Sequence, residues 1–488
     1  MIEGFDADSS KSSKSDLAPR STPPFTAEEE RTLWRKVDMR LVPIAAALYL
    51  VSYLDRGNIG NAKLQGLLTQ LDLSSNRYSI ALTMFYLGYC VFTSPANLML
   101  KRCRPSRWIP GLALAWGIVA TIMGLVKTYP QFVGLRLCLG VAEAGLSPGV
   151  YYLLTLWYPR HMLQWRFGLF WGGATFSGAF SGLLAYGISF MSGAGGLLGW
   201  SWIFVIEGLI SIVVAIIAFL VFVDLPETAK FLSPRERAFL LRRLSDDNAA
   251  GEEAHFELRH VTEAIFDWKV IMGCVINVAV TSGLYSGALF LPFGFDPAIS
   301  QLLSVPPYVV ATATVIICSL YSDRIRMRSP FVFLGLALAF IGFAINISNA
   351  SVGARYFGTY FVVTGAYLGA PMVIAWLGNN IVGHYKRGVA IGMQVMFGNI
   401  AAIIICNVYR VQDAPRYIPG HTAELAMLAV GLLLVPITAF IYFHRNRQHS
   451  KLLADPNREL GAVRGGVEYT EQELKRMGDR APTFLYTL

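Results

Sequence analysis

The chain has 488 residues, 54% hydrophobic and only 15% charged, with a net charge of +9 and a mean hydropathy of +0.47. A soluble chain carries nearer a quarter charged residues, so this composition excludes an ordinary soluble domain. Lys and Arg sit in short stretches between apolar runs, as positive-inside topology requires, and this placement argues against a nucleic-acid partner.

Residues 1–37 read as a disordered cytosolic tail, rich in Ser, Asp, Lys and Pro and without the apolar core of a cleavable signal peptide. Thr26–Glu29 has the form of a capping box. It precedes a short basic helix through Lys36 that is expected to lie along the membrane surface. Apolar runs follow near 41–61, 79–100, 108–127, 132–157, 167–190 and 201–223, and a second set near 268–292, 302–321, 330–349, 355–379, 388–409 and 424–443. Each can cross a hydrocarbon core about 30 Å thick. Backbone polar groups in lipid need internal partners, so the runs are helices, whereas a barrel would show short alternating segments. The predicted class is an all-α integral membrane protein of two six-helix bundles, 38–223 and 268–445. A charged cytosolic linker, 224–267, joins them, and a cytosolic tail, 446–488, follows.

Basic residues set the orientation. Arg31, Arg35, Lys36 and Arg40 flank the first span; Lys101, Arg102, Arg104 and Arg107 follow the second; Arg324, Arg326 and Arg328 follow the eighth. With twelve spans these fall on one side, which places both termini in the cytosol. Six Cys lack metal-ligand spacing and seven His form no repeated box, so no disulfide framework, metal, cofactor or enzymatic centre is expected. Asn349-Ala-Ser351 is a formal glycosylation sequon. The fifth span carries Gly168, Gly172, Gly173, Gly178 and Gly182, with Ser177 and Ser181 between. Such small residues let helices approach closely, for static packing or for sliding of one bundle on the other.

Charge inside the bilayer is expensive and needs a reason. The first span carries Asp55 and Arg56, with Asn58 and Asn61 after them; the fourth carries Arg136 and Glu143. Sequence neighbours point about 100° apart on a helix, so Asp55 and Arg56 each need a partner on another helix. Arg136 and Glu143, seven apart, share one face. Cross-pairs Asp55–Arg136 and Arg56–Glu143 are expected. The competing reading is a static network; the functional one is a set of acids that swap partners as protons and an anion arrive. The second half holds few full charges but offers Asn277, Tyr285, Trp376, Asn379, Asn380, Gln394, Asn399 and Asn407. These suit hydrogen bonds to a ligand or between helices.

The runs Tyr53-Leu-Asp-Arg-Gly-Asn-Ile-Gly-Asn-Ala-Lys63, Pro95-Ala-Asn-Leu, Arg136 to Pro148, Trp157-Tyr-Pro-Arg160, Gly199 to Gly208, Trp376 to Arg387 and Asp413-Ala-Pro-Arg-Tyr417 together resemble the major facilitator superfamily. Within it they resemble the anion:cation symporter family and its fungal allantoate and nicotinate permease branch, over about residues 40–445. The resemblance implies the twelve-helix major facilitator fold, a central cavity and alternating access. It assigns proton coupling to Asp55 and Glu143, and anion binding to Arg56 with Tyr53, Tyr89, Trp376 and Asn399. Arg136 balances charge, and Asp323 with Arg324 gates. Three features depart from the family pattern. Lys101-Arg102 stand where an acid–base pair is usual, Ser319-Leu-Tyr-Ser-Asp323-Arg324 keeps the acid and base after the eighth span but with Ser for the usual Gly, and Leu291-Pro-Phe-Gly-Phe-Asp-Pro is a short connection between spans seven and eight. The expected function is proton-coupled uptake of a small organic anion across a plasma membrane by a monomer in the lipid bilayer. A proton-coupled exporter and a non-transporting membrane sensor are the alternatives.

Overall fold

A computed structural model describes residues 25–159, 162–247, 258–289, 297–409, 413, 416–453, 478–481 and 484–488. Among these residues it is all-helical. We number the long helices α1 (Ala27–Leu64), α2 (Ser75–Arg102), α3 (Pro105–Met123), α4 (Tyr129–Trp157, broken at Ala144 and Gly145), α5 (Leu163–Ser189), α6 (Gly199–Val221), α7 (Trp268–Leu289), α8 (Pro297–Ile325), α9 (Ser329–Ile347), α10 (Val352–Asn379), α11 (His384–Val408) and α12 (Ile418–Leu453). Eleven are long and apolar enough to cross a membrane. The twelfth, α5, is 27 residues long, and its glycines and serines dilute its hydropathy. Large apolar side chains point outward, among them Leu209, Val213, Ile216 and Leu220 of α6, and Leu433, Ile437 and Phe440 of α12. A surface this apolar is built for lipid.

The sequence dictates several helix ends. Ser74 and Ser351 cap α2 and α10, and prolines open α3 and α9. Prolines inside α1, α2, α8, α10 and α12 leave those helices continuous, as neighbouring helices permit in membranes.

The opening of the chain differs from expectation. The capping box at Thr26 and Glu29 is present, but the helix it starts runs unbroken into the first span. Residues 27–37 are therefore helix, neither disordered nor laid along a surface apart from the span. A helix in the linker, Pro234–Asp247, braces them: Glu236 pairs with Lys36 at 2.9 Å, Arg235 with Glu29 at 3.3 Å, and Phe239 stacks on Phe25 at 4.2 Å. The short connection expected at Leu291–Phe295 lies outside the described residues.

The two halves meet along α5–α8 and α2–α11. A Cβ on Gly178 would come within 2.6 Å of the Tyr308 ring, and one on Gly168 would overlap Ser319. The small residues of α5 thus let it lie directly against α8 of the other half. Along α2–α11, Asn97 Nδ2 donates to the Gly388 carbonyl at 2.7 Å, and toward the opposite end Asn407 Nδ2 donates to Thr83 Oγ1 at 3.2 Å. The seam is bonded at both ends, and a cavity lies between the halves.

Candidate functional site

The cavity is partly open and spans about 330 Å³ of empty space, open solvent included. One half supplies Tyr49, Tyr53 and Arg56 from α1, Tyr89 from α2, Ser147 and Tyr151 from α4, and Trp171 from α5. The other supplies Asn277, Thr281 and Tyr285 from α7, Ile374 from α10, and Val395, Gly398 and Asn399 from α11. Aromatic walls with a few polar groups are the make-up of a small-molecule site.

Among the described residues, Arg56 is its one charged lining residue. Its Nε donates to Glu143 Oε2 at 2.9 Å, and Ser52 Oγ, one turn earlier on α1, donates to the same oxygen at 2.9 Å. Four-residue spacing puts Ser52 and Arg56 on the face of α1 that meets α4. Three rings surround the guanidinium: Tyr89 at 4.8 Å, Tyr53 at 5.0 Å and Phe85 at 5.6 Å from its centre. Cation–π attraction holds it without using its donors. Nη2 has no hydrogen-bond partner among the described residues. A buried donor left open this way costs about 1–3 kcal/mol unless something else accepts from it.

Of the two expected cross-pairs, Arg56–Glu143 is present and Asp55–Arg136 is absent as a direct contact. Asp55 lies about 100° round α1 from Arg56 and faces α6, where Ser211 Oγ donates to its Oδ2 at 2.8 Å and Asn58 Nδ2 to its Oδ1 at 3.5 Å. Arg136 is buried between the rings of Phe132 (5.4 Å) and Phe204 (5.6 Å), with Nε and Nη2 lacking hydrogen-bond partners. It acts on Asp55 only through space. Asp55, Glu143 and Arg136 are not among the lining residues. Glu143 stands one layer behind Arg56, and Asp55 faces away toward α6.

The other predicted binding residues divide. Tyr53 lines the cavity beside Tyr49, whose hydroxyl donates to it at 3.4 Å, and Tyr89 donates to Ser147 Oγ at 3.2 Å. Asn399 accepts from the Tyr285 hydroxyl at 3.0 Å. Trp376 is not a lining residue: its indole points away to residues 484–488, and Nε1 donates to the Thr487 carbonyl at 2.9 Å. It lies only two residues beyond Ile374, which does line the cavity, but on a helix two residues turn the side chain well away. The two residues assigned to the gate stand apart. Arg324 is exposed, and Asp323 pairs with Arg328 at 2.5 Å across the turn into α9. Asp323 also accepts from the Trp165 amide of the other half at 2.7 Å, so it joins the halves through backbone. Nearby, Arg166 of α5 pairs bidentately with Asp38 of α1 at 2.9 Å.

Within the spans, sequence reasoning passed over two buried acids. Glu207 of α6 is one turn before Ser211, so it shares the face turned to Asp55; neither of its oxygens has a hydrogen-bond partner. Glu424 of α12 is buried and faces the hydroxyls of Ser282 and Ser286 of α7. Each was legible as an acid inside or at the start of an apolar run. Tyr49, Tyr151 and Trp171 carried no such signal, because aromatic residues are ordinary in any span.

The fold and sequence have known counterparts. The chain is 31% identical to the high-affinity nicotinic acid transporter of Saccharomyces cerevisiae, over 94% of this chain and 85% of that one. It is 32% identical to an uncharacterised transporter of Schizosaccharomyces pombe, over 88% and 87%. Among solved structures it superposes on the proton:xylose symporter XylE at a TM-score of 0.63, with 14% identity, over 82% of this chain and 95% of that one. The human organic anion transporter MFSD10 aligns at 0.59, with 12% identity, over 82% and 99%. Residues 45–405 match the Major Facilitator Superfamily. A cavity walled by two helical halves, reached by that sequence match, places this chain in the Major Facilitator Superfamily as a multi-pass membrane transporter.

Proposed function

We propose that the protein takes up a small organic anion, a carboxylate, and couples its movement to protons. The observation that carries this reading is Arg56. It stands at the cavity wall, anchored through Nε by Glu143 and framed by three rings, with Nη2 unsatisfied. A planar carboxylate meets a guanidinium edge with two charge-assisted hydrogen bonds. Tyr285, Asn277 and Asn399 stand across the cavity to bind the rest of the ligand.

Coupling follows from competition. A substrate carboxylate drawing Arg56 toward the cavity weakens the Arg56–Glu143 contact. Glu143 then keeps only the Ser52 hydrogen bond, and it takes a proton rather than stand as an uncompensated buried charge. Asp55, on the α6 side of α1, is a second proton site that substrate does not touch. The basic flanks of the spans support a cytosolic location for both chain ends.

The name of the yeast relative makes nicotinate the first carboxylate to test. Proteoliposomes given an inward proton gradient should accumulate it, or another carboxylate from a panel, and an uncoupler should abolish accumulation. Accumulation indifferent to the uncoupler would defeat proton coupling. Binding of neutral sugars with no carboxylate bound would defeat the anion assignment.

A further inference from the structure

Residues 478–481 and 484–488 are seated on the end of the second half, at the starts of α7 and α11. Lys269 at the start of α7 and Lys386 at the start of α11 flank Asp267. Asp267 Oδ2 lies 2.7 Å from Lys386 and 3.5 Å from Lys269. The segment adds a second acid: Asp479 pairs with Lys386 at 2.9 Å and with Lys269. Two bases and two acids then balance, and all four are almost wholly buried. Burial alone would raise the Asp267 carboxyl, but the two ammonium groups outweigh it and hold it below its ordinary value.

The remaining contacts reach other helices. The Thr487 carbonyl accepts from Trp376 Nε1 at 2.9 Å and Asn380 Nδ2 at 3.0 Å, and the Thr487 amide donates to Asn380 Oδ1 at 2.8 Å. Tyr486 and Asn446 of α12 exchange two hydrogen bonds of 2.7 Å, and the Tyr486 ring stacks on Tyr442 at 4.9 Å. Gly383, at φ +91°, makes the tight turn that sets the end of α10 beside the start of α11.

Three of the helices held here build the second half of the cavity. α7 is tied through Lys269 and carries Asn277, Thr281 and Tyr285; α10 is tied through Trp376 and Asn380 and carries Ile374; α11 is tied through Lys386 and carries Val395, Gly398 and Asn399. All of these contacts fall within the second half. A rigid rocking of the second half leaves the clamp whole. Bending the end of one lining helix away from the others breaks an ion pair or a hydrogen bond.

We propose that this end of the second half is a peptide-binding site whose resident is the chain's own 478–488 segment, and that the seated segment is a brake on opening of the cavity toward this face. The site's chemistry fits a short peptide with one carboxylate for the Lys269–Lys386 pair and an aromatic side chain for Tyr442. The inference rests on the transport role and on neither the substrate nor the proton reading.

Cys274 gives a readout free of substrate. It is buried one and a half turns into α7 from Lys269, packed with Val270, Leu377, Ile381 and Ala390 of the clamped helix ends. In the full chain, Cys274 should react slowly with a membrane-permeant maleimide, followed by mass spectrometry of its peptide. Asp479→Asn and Tyr486→Ala should each speed labelling several-fold, and so should a stop after residue 477. A synthetic peptide of residues 478–488 added to the truncated protein should slow it again. Equal labelling rates in all of these proteins would overturn the brake. Faster labelling that accompanies loss of the monodisperse folded protein, or that the peptide fails to reverse, would overturn it too.

Discussion

Arg56 and Asp55 adjoin in sequence yet serve different sides of α1, and this decides what each can do. Arg56 reaches the cavity and Glu143; Asp55 reaches Ser211 and the neighbourhood of Glu207. Replacing Arg56 by Lys keeps the charge and removes the fork, so carboxylate binding should weaken by about 1.5–3 kcal/mol, roughly ten- to hundredfold. Isothermal calorimetry with the transported carboxylate checks this, and unchanged affinity would remove Arg56 as the anchor. Asp55→Asn keeps the hydrogen-bonding shape toward Ser211 but cannot carry a proton. Gradient-driven accumulation should vanish while substrate exchange between equal pools continues, as a counterflow assay reads. The adjacent pair itself was legible in the chain, as was its need for partners on other helices. Which partner each acid takes was not, since that depends on the rotation of α1 against α4 and α6.

Helix contacts depend on residues too small to announce a role. Gly178 lets α5 lie on Tyr308 of α8, and Gly173 lets the Ala46 carbonyl of α1 approach to 2.5 Å of where a Cβ would sit. Gly178→Ala should force α5 and α8 apart and lower stability by about 1–3 kcal/mol, the usual cost of overpacking. A reduced thermal midpoint in detergent, together with slower transport, is the expected result; unchanged values of both would show that the α5–α8 spacing is not critical. The glycine run in span five was plain in sequence as a close-packing face. That its partner is α8 of the other half is a matter of how the two bundles meet. The α1 extension teaches the converse: the cap at Thr26 was readable, and the brace from Glu236, 200 positions later, was not.

For the molecule to alternate, its two halves must separate at one end while staying joined at the other. The α2–α11 seam is bonded near both ends, through Asn97 with Gly388 and through Thr83 with Asn407. Cysteines placed at Thr83 and Asn407, in a background whose native cysteines are replaced, should cross-link on mild oxidation and stop transport, with recovery on reduction. Full transport by the cross-linked protein would mean that this end of the seam never opens.

Twelve spans, their division into two sets of six, the linker between them and the presence of buried charge in spans one and four were all readable along the chain. Hydropathy, helical period and the cost of a charge in lipid are local properties. The pairing of Arg56 with Glu143 but not of Asp55 with Arg136, the turning of Trp376 away from the cavity, the pairing of Asp323 with Arg328, and the seating of Asp479 between Lys269 and Lys386 belong to the tertiary structure. Each depends on helix rotation and on groups that lie far apart in the chain, and helical spacing constrains those only within a single helix.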